Sequence, residues 1–179
     1  MRSPSPSAGN GKLLSHKTVL QVVLFGLLGA LMVVLQVVMM GLPNIEPVSL
    51  LVILCTCAFG CKALWPTCIF VLAEGLIYGF GNWWFSYTYI WAVLIFLSLP
   101  FRRQESPLLW AVISGLFGLF FGLLTTPVEW IIGGPAHALA YWIDGLKFDL
   151  LHCVGNFAIM LILFKPLRKV FRIAEKMIA

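Results

Sequence analysis

Long apolar stretches constrain this chain more than any other feature. Residues 18–40, TVLQVVLFGLLGALMVVLQVVMM, carry no charge and exceed the roughly 20 apolar residues that a helix needs to cross a bilayer. Over the whole chain 61% of residues are hydrophobic and 11% are charged, whereas average soluble proteins carry about 25% charged residues. The sequence therefore predicts an all-α integral membrane protein with a single compact membrane domain.

Six membrane spans are predicted, at 18–40, 48–59, 62–78, 83–99, 108–132 and 148–164. The second is short and follows GLPNIEP, whose two prolines predict a helix that is short or broken at its outer end. Residues 1–17 are rich in Ser, Pro and Gly and are predicted to form a disordered cytoplasmic tail without a signal-peptide cleavage site. A six-helix bundle over 18–172 and a second cytoplasmic tail over 173–179 complete the predicted domain organisation.

The distribution of positive charge predicts the orientation of these spans. An even number of spans places both termini on one side, and all 12 Lys and Arg residues except Lys147 then share that side. Because cytoplasmic loops are enriched in Lys and Arg, both termini are predicted to be cytoplasmic. Membrane orientation thus accounts for the net charge of +5, and no nucleic-acid partner is expected.

Polar residues interrupt the apolar pattern of two spans. In FDLLHCVGNFAIMLILFKPLRK, residues Asp149, His152 and Asn156 fall on one face of a helix, and Glu74 lies one turn before Tyr78 in the third span. Ionisable groups within a span usually face a cavity or one another. We predict a shared cavity that opens to the outside. The alternative is a hydrogen-bond network that ties the third span to the sixth.

Aromatic residues and a proline-flanked segment are predicted to complete this cavity. Tyr and Trp residues gather near its expected mouth, which indicates either a ligand chamber or an asymmetric interfacial belt. The segment LPNIEPVSLL is expected to border the cavity or to form an ordinary loop, and GGPAHALAYWIDGLK to form an outer loop that serves as a lid or as an inert linker. The candidate substrate-binding residues are Asn44, Glu46, Glu74, Tyr78, Trp83, Trp84, Tyr87, Trp142, Asp149, His152 and Asn156.

Small residues on the first span predict a docking face. Gly26 and Ala30 are four residues apart, a spacing that lets helices approach closely in lipid, either within the bundle or against another membrane subunit. The chain has no Walker A, HExxH, GxSxG or dinucleotide-binding sequence. We therefore predict that it is not an enzyme, has no resident metal or cofactor, and relies on a partner for any ATP hydrolysis. Most of the five cysteines are expected to be buried apolar residues.

Three stretches carry a family resemblance: LPNIEPVSLL, EGLIYGFGNWWFSYTYIW and YWIDGLKFDLLHCVGNF. With the six spans and the small-residue spacing, they resemble the substrate-binding S component of energy-coupling factor transporters, most closely the cobalamin (vitamin B12) type. The resemblance implies a subunit of the bacterial cytoplasmic membrane that captures the vitamin outside. It would then dock on a transmembrane coupling subunit driven by two ATP-binding subunits. The family's docking motif is Ala-x-x-x-Ala, and Gly26 and Ala30 stand at those positions here.

Other functions remain open at the level of sequence. A corrinoid would be transported cargo, and His137, His152 or Cys153 are considered as ligands for its cobalt. The same class of subunit with another cargo, such as pantothenate, a pyrimidine or another small vitamin, is the first alternative. The second is an intramembrane enzyme that uses Glu74, Asp149 and His152 as acid/base groups or metal ligands.

Overall fold

A computed structural model describes residues 16–42 and 45–178, and within these residues the chain is helical, with no β-strand. Short 3-10 turns lie at Gly60–Ala63 and Leu99–Phe101. The helices are α1 (His16–Val38), α2 (Val48–Phe59), α3 (Leu64–Tyr78), α4 (Asn82–Ser98), α5 (Pro107–Leu119) and α6 (Phe121–Ile178). The predicted all-α class is confirmed.

Four helical segments of the described chain are long and apolar enough to cross a membrane: His16–Val38, Val48–Tyr78, Asn82–Phe101 and Pro107–Ile178. The last of these has 72 residues and would be about 108 Å long if straight, several times the roughly 30 Å apolar thickness of a bilayer. It folds back instead. The evidence is the hydrogen bond from the Gly122 N–H to Asp149 Oδ1 (2.9 Å), which joins two residues that are 27 positions apart in the sequence.

The reversal in α6 occurs at Gly134, where φ is 80°. A positive φ of this size is accessible to glycine at little cost, and Pro135 then begins the next helical turn. We call residues 121–133 the first arm of α6 and residues 135–178 its second arm. The sequence-based expectation of a long loop over GGPAHALAYWIDGLK is wrong, since this stretch is helical apart from Gly134.

A second reversal, at Gly60, joins α2 to α3. Gly60 has a φ of 61°, and a side chain there would meet the Arg102 guanidinium. Glu105, three residues after Arg102, forms ion pairs with Arg168 (3.4 Å) and Arg172 (2.8 Å) of α6. The turn after α2, the turn after α4 and the last part of α6 therefore meet at one end of the bundle, which we call the basic end.

Helix α2 forms the centre of the core. All 12 of its residues are buried, and it packs against α1, α4 and α6. A helix that is apolar on every side is buried in this way, whereas a helix at the periphery buries one stripe. Helix α1 follows the second pattern, because only Phe25, Leu28, Gly29 and Met32 are buried, at the spacing of one helix face.

The buried stripe of α1 packs closely against α3. A Cβ atom at Gly29 would lie 2.7 Å from the Ile69 side chain and 2.9 Å from the Pro66 carbonyl oxygen, whereas one at Gly26 would meet nothing within 4 Å. The two helices therefore approach at Gly29, and Gly26 lies outside this contact.

We predict that Gly29→Ala lowers the stability of the purified protein although alanine favours helix formation, because overpacking of this kind costs about 1–3 kcal/mol. The control is Gly26→Ala on the same helix, which is expected to be neutral or slightly stabilising. Thermal unfolding in detergent measures both variants. Equal melting temperatures for the two would contradict the packing described here.

Candidate functional site

A cavity of about 320 Å³ lies at the end of the bundle opposite the basic end. Glu46, just before α2, and Tyr78, at the end of α3, both line it, so α2 and α3 run antiparallel between the two ends. Six of the predicted site residues line the cavity: Glu46, Glu74, Tyr78, Trp83, Tyr87 and His152. We call this space the main cavity.

The Glu46 carboxylate is held at the start of α2. The Ser49 backbone N–H donates to Glu46 Oε2 at 2.9 Å, and the Ser49 hydroxyl donates to Oε1 at 2.5 Å. A carboxylate in this position satisfies a backbone donor of the first helical turn and interacts favourably with the helix dipole. Glu46 therefore both satisfies the start of α2 and lines the cavity.

His152 connects this carboxylate to α6. Its Nε2 lies 3.2 Å from Glu46 Oε1, and both residues are buried. The imidazole ring also packs against Phe121, with the ring centroids 4.9 Å apart. Glu46 thus has hydrogen-bond partners on two sides while it lines the cavity.

Asn156 lies one turn further along α6 and extends the same network. Its side-chain nitrogen donates to the Ser49 hydroxyl at 3.2 Å and lies 3.4 Å from the Ser114 carbonyl oxygen. Asn156 is buried and does not line the main cavity. The network joins α2, α5 and α6, whereas the sequence alternative placed it between the third and sixth spans.

Asp149 is placed where it braces the fold. Its Oδ1 accepts from the Gly122 N–H at 2.9 Å, and its buried Oδ2 has no hydrogen-bond partner in the described part of the chain. A Cβ atom at Gly122 would lie 2.5 Å from Oδ2, so the two arms of α6 meet closely here. Asp149 therefore satisfies a donor at the start of the first arm and does not line the cavity.

Glu74 occupies a different environment from the other acids. Its side chain lines the main cavity, yet the residue is only 3% exposed. Its Oε1 is buried and has no hydrogen-bond partner among residues 16–42 and 45–178. Glu46 and Asp149 each accept a hydrogen bond from a backbone N–H, whereas no donor in the described part of the chain is directed at the Glu74 carboxyl group.

One aromatic stripe on α4 forms a wall of the cavity. Trp83, Tyr87 and Trp91 are spaced by four residues, and neighbouring rings meet edge to face with centroids 5.2 and 5.5 Å apart. Edge-to-face packing holds such rings in defined orientations. Trp91 was not among the predicted site residues, although its four-residue spacing from Tyr87 could have identified it.

Two predicted aromatic residues lie elsewhere. Trp84 donates its indole N–H to the Val71 carbonyl oxygen at 2.8 Å and packs against Phe80, so it joins α4 to α3. Trp142 is half-buried and lines neither this cavity nor the adjoining one. Asn44, also predicted, lies outside the described residues. The lining residues that the sequence analysis missed are Gln36, Met39, Met40, Leu42, Ile45, Trp91 and Phe121.

A second cavity of about 280 Å³ adjoins the first and shares Trp83, Tyr87 and Phe121 with it. It is also lined by Glu129, whose Oε2 lies 2.9 Å from His137 Nε2 across the Gly134 reversal. The three shared aromatic side chains therefore form a partition between the two spaces.

The other candidate residues lie away from both cavities. On α1, Ala30 is exposed and Gly26 is half-buried, with open space where a side chain would project. Among the described residues, no group of three or more His, Cys, Asp or Glu side chains is arranged to hold a metal ion. Cys55 and Cys57 are buried, as expected, whereas Cys61 and Cys68 are exposed and Cys153 is half-buried.

Comparisons with known proteins returned no match to a family model, to a curated protein or to a solved structure.

We predict that Asp149→Ala lowers thermal stability by about 1–3 kcal/mol, because the buried Gly122 N–H loses its acceptor. Asp149→Asn is the matched control, since its side-chain oxygen still accepts from Gly122 and a smaller loss is expected. Thermal melts of the purified variants measure the difference. Wild-type stability in the alanine variant would show that this bond does not brace the two arms of α6.

Proposed function

We propose that the chain is the substrate-capturing membrane subunit of a vitamin importer, of the S-component type that the sequence resembles. The observation that carries the proposal is the main cavity, which combines a wall of aromatic side chains with buried polar groups. Such a combination is typical of small-molecule sites, where apolar surface supplies affinity and a few polar groups fix orientation. In this proposal the bundle crosses the bacterial cytoplasmic membrane six times, since the reversals at Gly60 and Gly134 each divide a long apolar segment into two crossings.

The positions of the charges support an outward-facing cavity. Arg102, Arg168 and Arg172 lie at the basic end, and the main cavity lies at the other end of α2. If the basic end faces the cytoplasm, as the enrichment of Lys and Arg in cytoplasmic loops implies, the cavity faces outward. A subunit that captures nutrients from outside requires this orientation.

The cavity volume favours a small cargo. About 320 Å³ lies at the lower end of the roughly 300–1,000 Å³ range of small-molecule sites and suits a vitamin with one or two rings. A corrinoid, the cargo that the resemblance implies, is much larger than a vitamin with one or two rings and would require the cavity to enlarge. We therefore propose the small vitamin as the first cargo class and the corrinoid as the second.

The intramembrane enzyme receives less support from the geometry. It needs Glu74, Asp149 and His152 to converge on one reacting atom. Glu74 and His152 line the same cavity, but Asp149 is bonded to the Gly122 backbone and does not line it. The three groups therefore do not converge as the enzyme hypothesis requires, whereas a binding site needs no such convergence.

We predict that the purified chain binds a vitamin without ATP and that Trp83→Ala weakens binding by about 10-fold or more, because a large aromatic contact is lost. Trp130→Ala is the control, since Trp130 is exposed and lines neither cavity. Calorimetric titration with cobalamin and with a panel of smaller vitamins gives both the affinity and the cargo. If no compound of either size binds, the proposed function is wrong.

Docking on a coupling subunit is proposed to use the open face of α1. Ala30 is exposed, and Gly26 has free space around it, so another helix could approach here closely. Delivery of the captured vitamin would then depend on the ATP-binding subunits of the partner, in agreement with the absence of nucleotide-binding motifs from the sequence.

We predict that Ala30→Trp leaves vitamin binding intact and reduces uptake by cells that contain the coupling subunits, because the bulky side chain blocks helix approach. The control is Val154→Trp, at an exposed position of α6 that lies outside this face. Accumulation of labelled vitamin measures uptake. Normal uptake in the Ala30 variant would remove the docking role from this part of α1.

A further inference from the structure

We infer that the main cavity selects a heteroaromatic compound that carries a positive charge or an amine, and that this group binds against Glu74. The inference rests on the proposed function, because it names the chemical class that the same cavity would capture. It is carried by Glu74, a cavity-lining acid whose buried Oε1 has no hydrogen-bond partner among the described residues.

The first step is the state of the Glu74 carboxyl group. The residue is 3% exposed, lines the cavity, and keeps a buried Oε1 with no hydrogen-bond donor in the described residues. A buried carboxylate without a partner costs several kcal/mol of folding free energy, whereas one that meets a donor or a cation does not. A ligand that brings a cation or a hydrogen-bond donor to Glu74 would therefore stabilise its carboxylate form.

The second step concerns the other charges around the cavity. Glu46 is already bonded to Ser49 and lies 3.2 Å from the imidazole of His152, so its carboxylate is partnered within the protein. None of the described lining residues is Lys or Arg. Of these two lining acids, Glu74 is the one whose buried Oε1 has no hydrogen-bond donor in the described part of the chain.

The third step concerns the aromatic side chains that line the same cavity as Glu74. Trp83, Tyr87 and Trp91 line the same cavity, and their rings are held by edge-to-face packing. Aromatic faces attract cations as well as flat rings, and this attraction strengthens where water is excluded. A charged heteroaromatic ring satisfies both features of the cavity, because the ring meets the aromatic wall and the cation meets the acid.

The same charges disfavour acidic cargo. A ligand carboxylate near Glu74 would place two negative charges in a partly dry space, where repulsion is much stronger than in bulk water. Within the proposed cargo class, carboxylate vitamins such as pantothenate are therefore expected to bind less well than amine-bearing ones of similar size.

The test uses compounds that share one ring and differ in one substituent. Pyridoxamine, pyridoxine and 4-pyridoxic acid present an amine, an alcohol and a carboxylate, and a wider panel of vitamins and vitamin precursors is grouped by charge in the same way. Quenching of tryptophan fluorescence reports binding, since Trp83 and Trp91 line the cavity. We expect the amine to bind most tightly and the acid least tightly within the series, and the tightest compound of the panel to carry an amine or a positive charge.

Substitution of Glu74 provides the second readout. Glu74→Gln keeps the size of the side chain and removes the charge, so affinity for the tightest amine or cation is expected to fall by about 10- to 100-fold. Glu74→Asp keeps the charge and is expected to retain the order of affinities. Glu175→Gln, at the basic end, is the control, and thermal melts verify that every variant folds.

The outcomes separate this inference from the function on which it rests. Tightest binding by an acid, or unchanged affinity for the amine in Glu74→Gln, would overturn the inference while leaving vitamin capture in place. Unchanged affinity in that variant would indicate that Glu74 binds as a neutral hydrogen-bonding group. Failure of every compound in the panel, of any charge, to bind the folded protein would overturn the proposed function and the inference together.

Discussion

The contact between Glu46 and His152 joins the start of α2 to the second arm of α6, and the rest of the site depends on it. Helix α2 is apolar on all sides, so hydrophobic burial places it in the centre without fixing its rotation or depth. The polar network fixes both, because the Ser49 hydroxyl donates to Glu46 and accepts from Asn156 at the same time. With α2 fixed, Ile45 and Glu46, which directly precede it, are held at the wall of the cavity.

The fold and the polar groups of the site differ in how far the sequence predicts them. Uncharged runs identify the helices well, and α2 begins and ends at the predicted residues 48 and 59. Helix α6 was harder to predict, because GGPAHALAYWIDGLK has the glycines and proline of a loop, yet only Gly134 in it departs from helical geometry. A single residue with a positive φ can reverse the chain, and composition over a window does not distinguish that from a longer loop.

Side-chain positions within the site were predictable only in part. The helical periodicity of Asp149, His152 and Asn156 correctly implied a buried face, since all three are buried. Which of them reaches the cavity depends on the backbone groups nearby. Asp149 does not reach it, because its carboxylate accepts a hydrogen bond from the Gly122 N–H. Trp84 and Trp91 show the same limit, because aromatic character does not reveal whether an indole meets a cavity or a neighbouring helix.

The structure thus describes a bundle whose two ends differ in chemistry. One end gathers arginines around Glu105, and the other surrounds a space with aromatic rings and carboxyl groups. In the proposed orientation the basic end faces the cytoplasm, so the same asymmetry would also decide which side the cavity faces. The proposed orientation and the proposed ligand capture would then be two consequences of one distribution of residues.

Labelling of cysteines from outside the cell tests this central claim most directly. In a variant without the native cysteines, Tyr78→Cys and Trp65→Cys would each be exposed in turn to a membrane-impermeant thiol reagent. Both positions are exposed side chains on α3, one at each end of the helix. The account predicts that intact cells are labelled at position 78, which lines the cavity, and not at position 65. Labelling at 65 alone, or at neither position, would contradict an outward-facing, water-filled cavity.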